Sequence, residues 1–265
     1  MRLIISPAKK MNVDTDTLAP LGEPVLLEKT EALLSRMREL SYEEAKALWG
    51  CNEKLARQNF ERFQDMDLRR GLTPAILSYE GIQYQYMAPA VFEERMLAWV
   101  QEHLRILSGF YGVLKPMDGV TPYRLEMQAR LSVGEARDLY AFWGGSLWEE
   151  ICGAAVDGGD GGAAAASEGG VREVVLNLAS KEYSRCIEKY LRPEDRFITC
   201  IFGEWSGGKI VQKGTYAKMA RGEMVRFLAE RQAERPEEAR DFDRLGYRFA
   251  PEHSDEKSYV FVRTV

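Results

Sequence analysis

Residues 101–131 read QEHLRILSGFYGVLKPMDGVTPYRLEMQARL, and the folding of this stretch decides what can surround it. Met96, Trp99, Val100, His103, Leu104 and Leu107 recur at i+3 and i+4 steps, the spacing of one apolar stripe on an α-helix. Ser108 and Gly109 end the stripe, glycine being favoured where a helix terminus turns left-handed. A second apolar run, Tyr111 to Leu114, stops at Pro116, which has no place in a helix interior. The outline is helix, glycine-bracketed turn, helix. This is also the outline of a helix-hairpin-helix, a motif whose turn amides meet phosphates without reading base sequence. On the turn alone, an ordinary helical hairpin between two core helices is the reading the pattern favours.

Beyond Pro116 the chain crowds Lys115, Asp118, Arg124, Glu126 and Arg130 among apolar residues. Tyr123-Arg124-Leu125-Glu126-Met127 alternates, so an extended backbone puts Arg124 and Glu126 on one face, as a structural ion pair or as two members of a site. At the N-terminus, Arg2 to Ile5 predicts a buried strand. It feeds the loop Ser6-Pro7-Ala8-Lys9-Lys10, at the strand end where α/β sheets carry ligands; surface lysines in loops are also common.

The remaining elements follow from periodicity. Residues 26–62 are helical, with Ser41 and Glu44 at capping-box spacing. TPAILSY at 73–79 predicts a strand, and Tyr79, Tyr84 and Tyr86 cluster after it as core packing or as a stacking platform. RDLYAFWGGSLWEE at 137–150 predicts helix on both sides of Gly144-Gly145. VREVVLNLA at 171–179 is a strand, and Ser180 is placed to cap a helix whose N-terminus favours an anion. Strands at 196–202 and 209–212 precede a helix over 215–231, on which Lys218 and Arg221 stand opposite the apolar arc. Residues 242–248 and 259–262 predict a closing hairpin-like pair. This irregular order predicts a single compact α/β (α+β) domain, a mixed sheet packed with helices. GAAVDGGDGGAAAASEGG at 153–170 reads as a flexible surface insertion within it.

The 265 residues carry a net charge of −5, so a nucleic-acid partner requires positive charge gathered on one face. The four cysteines are scattered and the two histidines lie far apart, which argues against a disulfide framework, a zinc site or a His-based metal site. The absence of a long apolar run predicts a cytoplasmic protein with no membrane partner.

LIISPAKK, HLRILSGFYGVLKPMDGVTPYRLEM, DLYAFWG, VLNLASKEY and YAKMARGEMVRFLAE resemble, in this order and over nearly the whole chain, the YaaA-type peroxide-stress-resistance proteins of bacteria. The tract at 153–170 is longer than the resemblance would lead one to expect. The resemblance implies one α/β domain with a helix-hairpin-helix and a positively charged cleft, binding of duplex or distorted DNA, and limitation of iron-driven damage during hydrogen peroxide stress. Carried onto this chain, the candidate DNA- or phosphate-binding residues are Lys9, Lys10, Gly109, Gly112, Lys115, Arg124, Lys181, Lys218 and Arg221. Their roles follow from charge and placement, with Tyr111 and Tyr123 as candidate base-stacking rings. The expectation is a monomeric binding protein without cofactor or metal. The alternative is an enzyme on a phosphate-bearing or nucleic-acid substrate, with Asp118 or Glu126 as acid–base group and Lys9 and Arg124 clamping the anion. Direct iron binding would have to rest on carboxylates alone.

Overall fold

In the computed structural model, residues 1–153 and 173–264 are described. Apart from Gly153, the expected insertion at 153–170 lies outside them.

The core is an eight-stranded mixed sheet. Its strands are β1 (Arg2–Ile5), β2 (Leu104–Ser108), β3 (Gly112–Leu114), β4 (Val175–Leu178), β5 (Phe197–Ser206), β6 (Lys209–Val211), β7 (Tyr247–Phe249) and β8 (Ser258–Arg263). They lie in the order β7-β8-β5-β4-β1-β2-β3, with β6 paired to β5. β8, β5, β4, β1 and β2 run parallel, while β3, β6 and β7 attach antiparallel. Leu3, Ile4 and Ile5 are fully buried, as a central parallel strand covered on both faces requires. The closing pair is present, Tyr247 opposing Arg263 across β7 and β8.

Eight helices position the site: α1 (Leu27–Arg38), α2 (Tyr42–Trp49), α3 (Glu53–Asp65), α4 (Ile82–Met87), α5 (Glu94–His103), α6 (Leu139–Trp143), α7 (Lys181–Glu188) and α8 (Gly214–Arg231). The long helical pattern of 26–62 is thus three helices. The capping box at Ser41 and Glu44 forms, with the Ser41 amide donating to the Glu44 carboxylate at 2.8 Å. TPAILSY is not one strand. Thr73 and Pro74 make a short ladder with Gly119 and Val120, Ala75 to Ser78 is a helical turn, and Tyr79-Glu80 pairs with Lys10-Met11.

The helix-hairpin-helix is a correction. Met96, Trp99, Val100 and His103 lie on α5 as expected, but the helix stops at His103 and Leu104 begins β2. Ser108 to Gly112 is a β-turn region joining β2 to antiparallel β3, with Ser108 opposite Gly112. Every residue of β2 is buried, and a strand buried on both faces shows no alternation to separate it from a buried helix.

One helix crossing is unusually tight. A Cβ at Gly222 of α8 would collide with the Gln83 carbonyl oxygen and lie 2.9 Å from the Met87 amide nitrogen of α4. Backbone meets backbone there with no side chain between. Gly222→Ala is therefore expected to lower the unfolding free energy by about 1–3 kcal/mol through overpacking, despite alanine's better helix propensity. Urea unfolding measures this, and an unchanged or raised midpoint would contradict the tight crossing.

Candidate functional site

The chain passes from β1 to β2 on one side. It later enters β4 on the other side and continues outward through β5 and β8. A crevice opens outside the carboxyl ends of parallel strands at such a switch in direction. Here the Ser6–Lys10 loop follows β1 and the N-terminus of α7 follows β4. Ser6 ties them together: its Oγ accepts from the Ser180 amide at 2.8 Å and donates to the Ser180 hydroxyl at 3.1 Å. Ser180 does not cap α7 with its own side chain.

The resulting cavity measures about 400 Å³ and draws its walls from five segments: 6–10, 80–84, 123–126, 180–183 and α8. Lys9, Lys10, Arg124, Lys218 and Arg221 face the carboxylates of Glu80, Glu126 and Glu182 across it, a surplus of cations. Lys10 pairs with Glu80 at 2.7 Å. Glu126 takes Lys9 at 2.8 Å and Arg124 at 3.3 Å, so the predicted same-face arrangement of Arg124 and Glu126 holds. The backbone there is extended but outside the main sheet, with burial alternating along Tyr123–Met127. No acid pairs with Lys218 or Arg221 among the described residues.

Three residues that line this cavity each carry a buried donor with no acceptor among the described residues: Gln83 Nε2, Arg124 Nε and Arg221 Nε. Gln83 is only 7% exposed and the Arg124 side chain 14%. Burial lowers the pKa of Arg221 and raises that of Glu182, whose carboxylate also accepts from the Gln128 amide at 3.3 Å and lies near the Glu126 charge. A buried polar group without a partner costs roughly 1–3 kcal/mol, more if charged. Three in one crevice describe a cradle for an acceptor-rich, negatively charged group.

The floor is a hydrogen-bonded tyrosine network. Tyr123 OH pairs with Ser108 Oγ at 2.6 Å and Tyr79 OH at 2.8 Å, and Tyr84 OH donates to the Ser6 carbonyl at 3.1 Å. Burial raises the Tyr79, Tyr84 and Tyr123 hydroxyls above their ordinary range, so they stay neutral donors.

Five of the nine predicted binding residues therefore converge: Lys9, Lys10, Arg124, Lys218 and Arg221. Gly109 and Gly112 are buried at the β2–β3 turn and do not line the crevice. The neighbouring Phe110 and Tyr111 amides both donate to Ser108 Oγ, at 3.2 and 2.8 Å. Gly112 adopts φ +75 beneath Trp143, where a Cβ would sit 2.8 Å from the ring. Gly109 instead admits the 125–127 backbone: an added Cβ would run into the Leu125 carbonyl and lie 2.9 Å from the Glu126 carbonyl carbon. It thereby seats Arg124 and Glu126 at the crevice. Lys181 is exposed at the start of α7 and does not line the crevice. Tyr111 and Tyr123 are buried and hydrogen-bonded, which corrects their expected role as base platforms.

Asp118 and Lys115 lie in a different cavity, with Arg2, Arg105 and Glu150. Asp118 accepts from the Lys115 amide at 2.8 Å, and burial pushes its carboxyl up to about 6. Gln83 and Glu182 escaped the sequence reading. Gln83 sits on a helix of six residues with no charge or glycine to mark it. Glu182 carries a signal in its position two residues after Ser180, the expected cap, in the first turn of the helix. Among the described residues no three His, Cys, Asp or Glu side chains gather as a metal site needs, and no helix is long and apolar enough to cross a membrane.

Residues 1–253 match the family described as peroxide stress protein YaaA. The chain is 54% identical over 265 residues to a UPF0246 protein of Agathobacter rectalis, covering 100% of both. It is 51% identical over 266 residues to one of Lachnoclostridium phytofermentans, covering 99% of this chain and 96% of that one. A UPF0246 protein of Pediococcus pentosaceus is 47% identical over 263 residues, with 99% and 98% covered. The chain belongs to the peroxide stress protein YaaA family.

Two outcomes follow from this geometry. Gln83→Leu and Arg221→Met remove donors that have no acceptor, so the unliganded protein should keep its stability or gain up to about 1 kcal/mol. A loss above about 2 kcal/mol in urea unfolding would mean that the donors are engaged within the fold. Asp118 binds its proton more tightly folded than unfolded, so it stabilises most below about pH 4, and that stabilisation is lost as pH rises through about 6. Asp118→Asn, which keeps an acceptor for the Lys115 amide, should flatten the fall in stability from pH 4 to pH 7 by about 1–3 kcal/mol, measured by urea titration.

Proposed function

We propose that this member of the peroxide stress protein YaaA family binds the phosphates of unpaired or distorted DNA in the switch-point crevice, and limits iron-driven oxidative damage by covering the strand it holds. The observation that supports this reading is that Gln83, Arg124 and Arg221 line one crevice and each carries a buried N–H with no acceptor among the described residues, beside Lys218, which has no ion-pair partner among them. Phosphate oxygens are strong, charged acceptors that satisfy all of them at once. The contact thus moves from the turn amides of a helix-hairpin-helix to a side-chain cradle. A cavity of about 400 Å³ has the size of a single-nucleotide site rather than of a double helix, which favours an opened strand over an intact duplex. The net charge of −5 gives DNA little long-range attraction, so affinity rests on these short contacts.

A second reading is an enzyme on a phosphate-bearing substrate in the same crevice. It is favoured by Glu126 and Glu182, which stand beside the donors, Glu182 with its pKa raised by burial. Asp118, in its separate cavity, has no part in it.

Fluorescence anisotropy with single-stranded, duplex and bubble DNA across a salt series tests the primary reading. Single-stranded and bubble DNA should bind better than duplex. The logarithm of the binding constant should fall with that of salt at a slope near −0.7 per phosphate held, so about −1 to −2. The Lys218→Glu/Arg221→Glu double variant should lose at least about 10-fold in affinity. Absence of binding at low salt, or binding indifferent to the double variant, overturns it and turns attention to turnover of phosphate-bearing small molecules.

A further inference from the structure

Beside the crevice lies a second cavity, between α2 and the 126–132 segment, with Glu126 in the wall of both. We infer that this second cavity receives the base of the nucleotide whose phosphate occupies the crevice; the inference rests on the reading proposed above. Its walls carry Leu40, Leu48 and Leu131, with Trp49 and Arg130 supplying polar edges. Trp49 is 7% exposed, yet its indole N–H is buried and has no acceptor among the described residues. One face of that ring is stacked on Phe63, at 5.9 Å between centroids and 15° between planes. What the indole still offers is its donor.

The remaining polar groups narrow the occupant. Glu44 is engaged by Ser41 in the capping box, and Arg36 donates to the Ser132 carbonyl at 3.1 Å and to Glu39 at 3.2 Å. Arg130 is exposed and makes no ion pair with the described residues. Glu126 is held by Lys9 and Arg124 from the crevice side. The cavity therefore presents apolar walls, one buried N–H lacking an acceptor, and one free planar guanidinium. A second phosphate would be stranded among leucines, and a sugar would bring hydroxyls to apolar walls. A nucleobase has apolar faces, in-plane acceptors (ring nitrogens or carbonyl oxygens) for an indole N–H, and a face on which a guanidinium stacks. Readout at one in-plane acceptor is tolerant of sequence, because every base carries one, thymine as a carbonyl oxygen.

The test compares two single-stranded 10-mers by anisotropy, oligo-dT and an all-abasic backbone with the same phosphates, on the full chain. The unmodified protein should prefer oligo-dT by about 10-fold, the order of one base contact. Trp49→Phe retains the ring against Phe63 but removes the N–H. Arg130→Gln changes an exposed side chain and so leaves folding intact. Each should reduce the preference to about threefold or less while leaving affinity for the abasic strand unchanged. Equal binding of the two strands by the unmodified protein overturns the base site and leaves the phosphate reading standing. A preference that survives both variants also overturns it. Failure to bind either strand removes the phosphate reading and this inference together.

Discussion

The crossing of α8 over α4 is the contact on which the site depends. At Gly222 the helix backbone lies directly against the Gln83 carbonyl, a distance that no other residue permits. The neighbouring residue, Arg221, is thereby brought to the same cavity as Gln83, although the two are far apart in the chain. A glycine inside a helix costs up to about 1 kcal/mol against alanine, and the packing it permits offsets that cost. Gly109 does similar work on the opposite wall, where the absence of a Cβ lets the 125–127 backbone settle against the β2–β3 turn. Arg124 and Glu126 are placed by that contact. Two backbone approaches, then, set where the charged side chains converge.

The tyrosine network ties both walls to the sheet. Ser108, at the end of β2, bonds Tyr123, and Tyr123 bonds Tyr79, so the walls share a buried, neutral hydrogen-bonded floor. Above that floor the donors are unmatched. Folding alone gives no reason to keep three buried N–H groups without acceptors in one place, because each weakens the unliganded protein.

The sequence made the outer frame of this arrangement readable and hid its centre. β1, the Ser41 capping box, the long α8 and the closing β7–β8 pair follow from local periodicity and capping chemistry, which are short-range properties. The helix-hairpin-helix failed for a physical reason. Leu104-Arg105-Ile106-Leu107 is buried on both faces, so it carries neither strand alternation nor a helical polar face, and the preceding α5 pattern ran into it unbroken. Gly109 and Gly112 stand out in the sequence as turn residues, but their use is close packing, which depends on residues 125–127 and Trp143 arriving from elsewhere. Lys9, Lys10, Arg124, Lys218 and Arg221 are legible as charges in stretches that resemble a family. That they meet, and that Lys115 and Lys181 do not join them, is decided by the strand order. Gln83 and Trp49 had no signal at all, since an orphan donor is defined by what fails to lie near it.

A net charge of −5 and a crevice lined by five cations and three carboxylates are compatible because the charges are separated in space. On the proposed function, most of the surface repels an anion weakly and a few desolvated donors hold it at short range. The central claim is that Gln83, Arg124 and Arg221 form one oxyanion cradle. A crystal soaked with tungstate, a heavy tetrahedral oxyanion located by its anomalous signal, tests it most directly. The account predicts one strong peak in the switch-point crevice, its oxygens accepting from Gln83 Nε2, Arg124 Nε and Arg221 Nε. A crevice without tungstate, while the anion orders at other cationic sites of the same crystal, would contradict it.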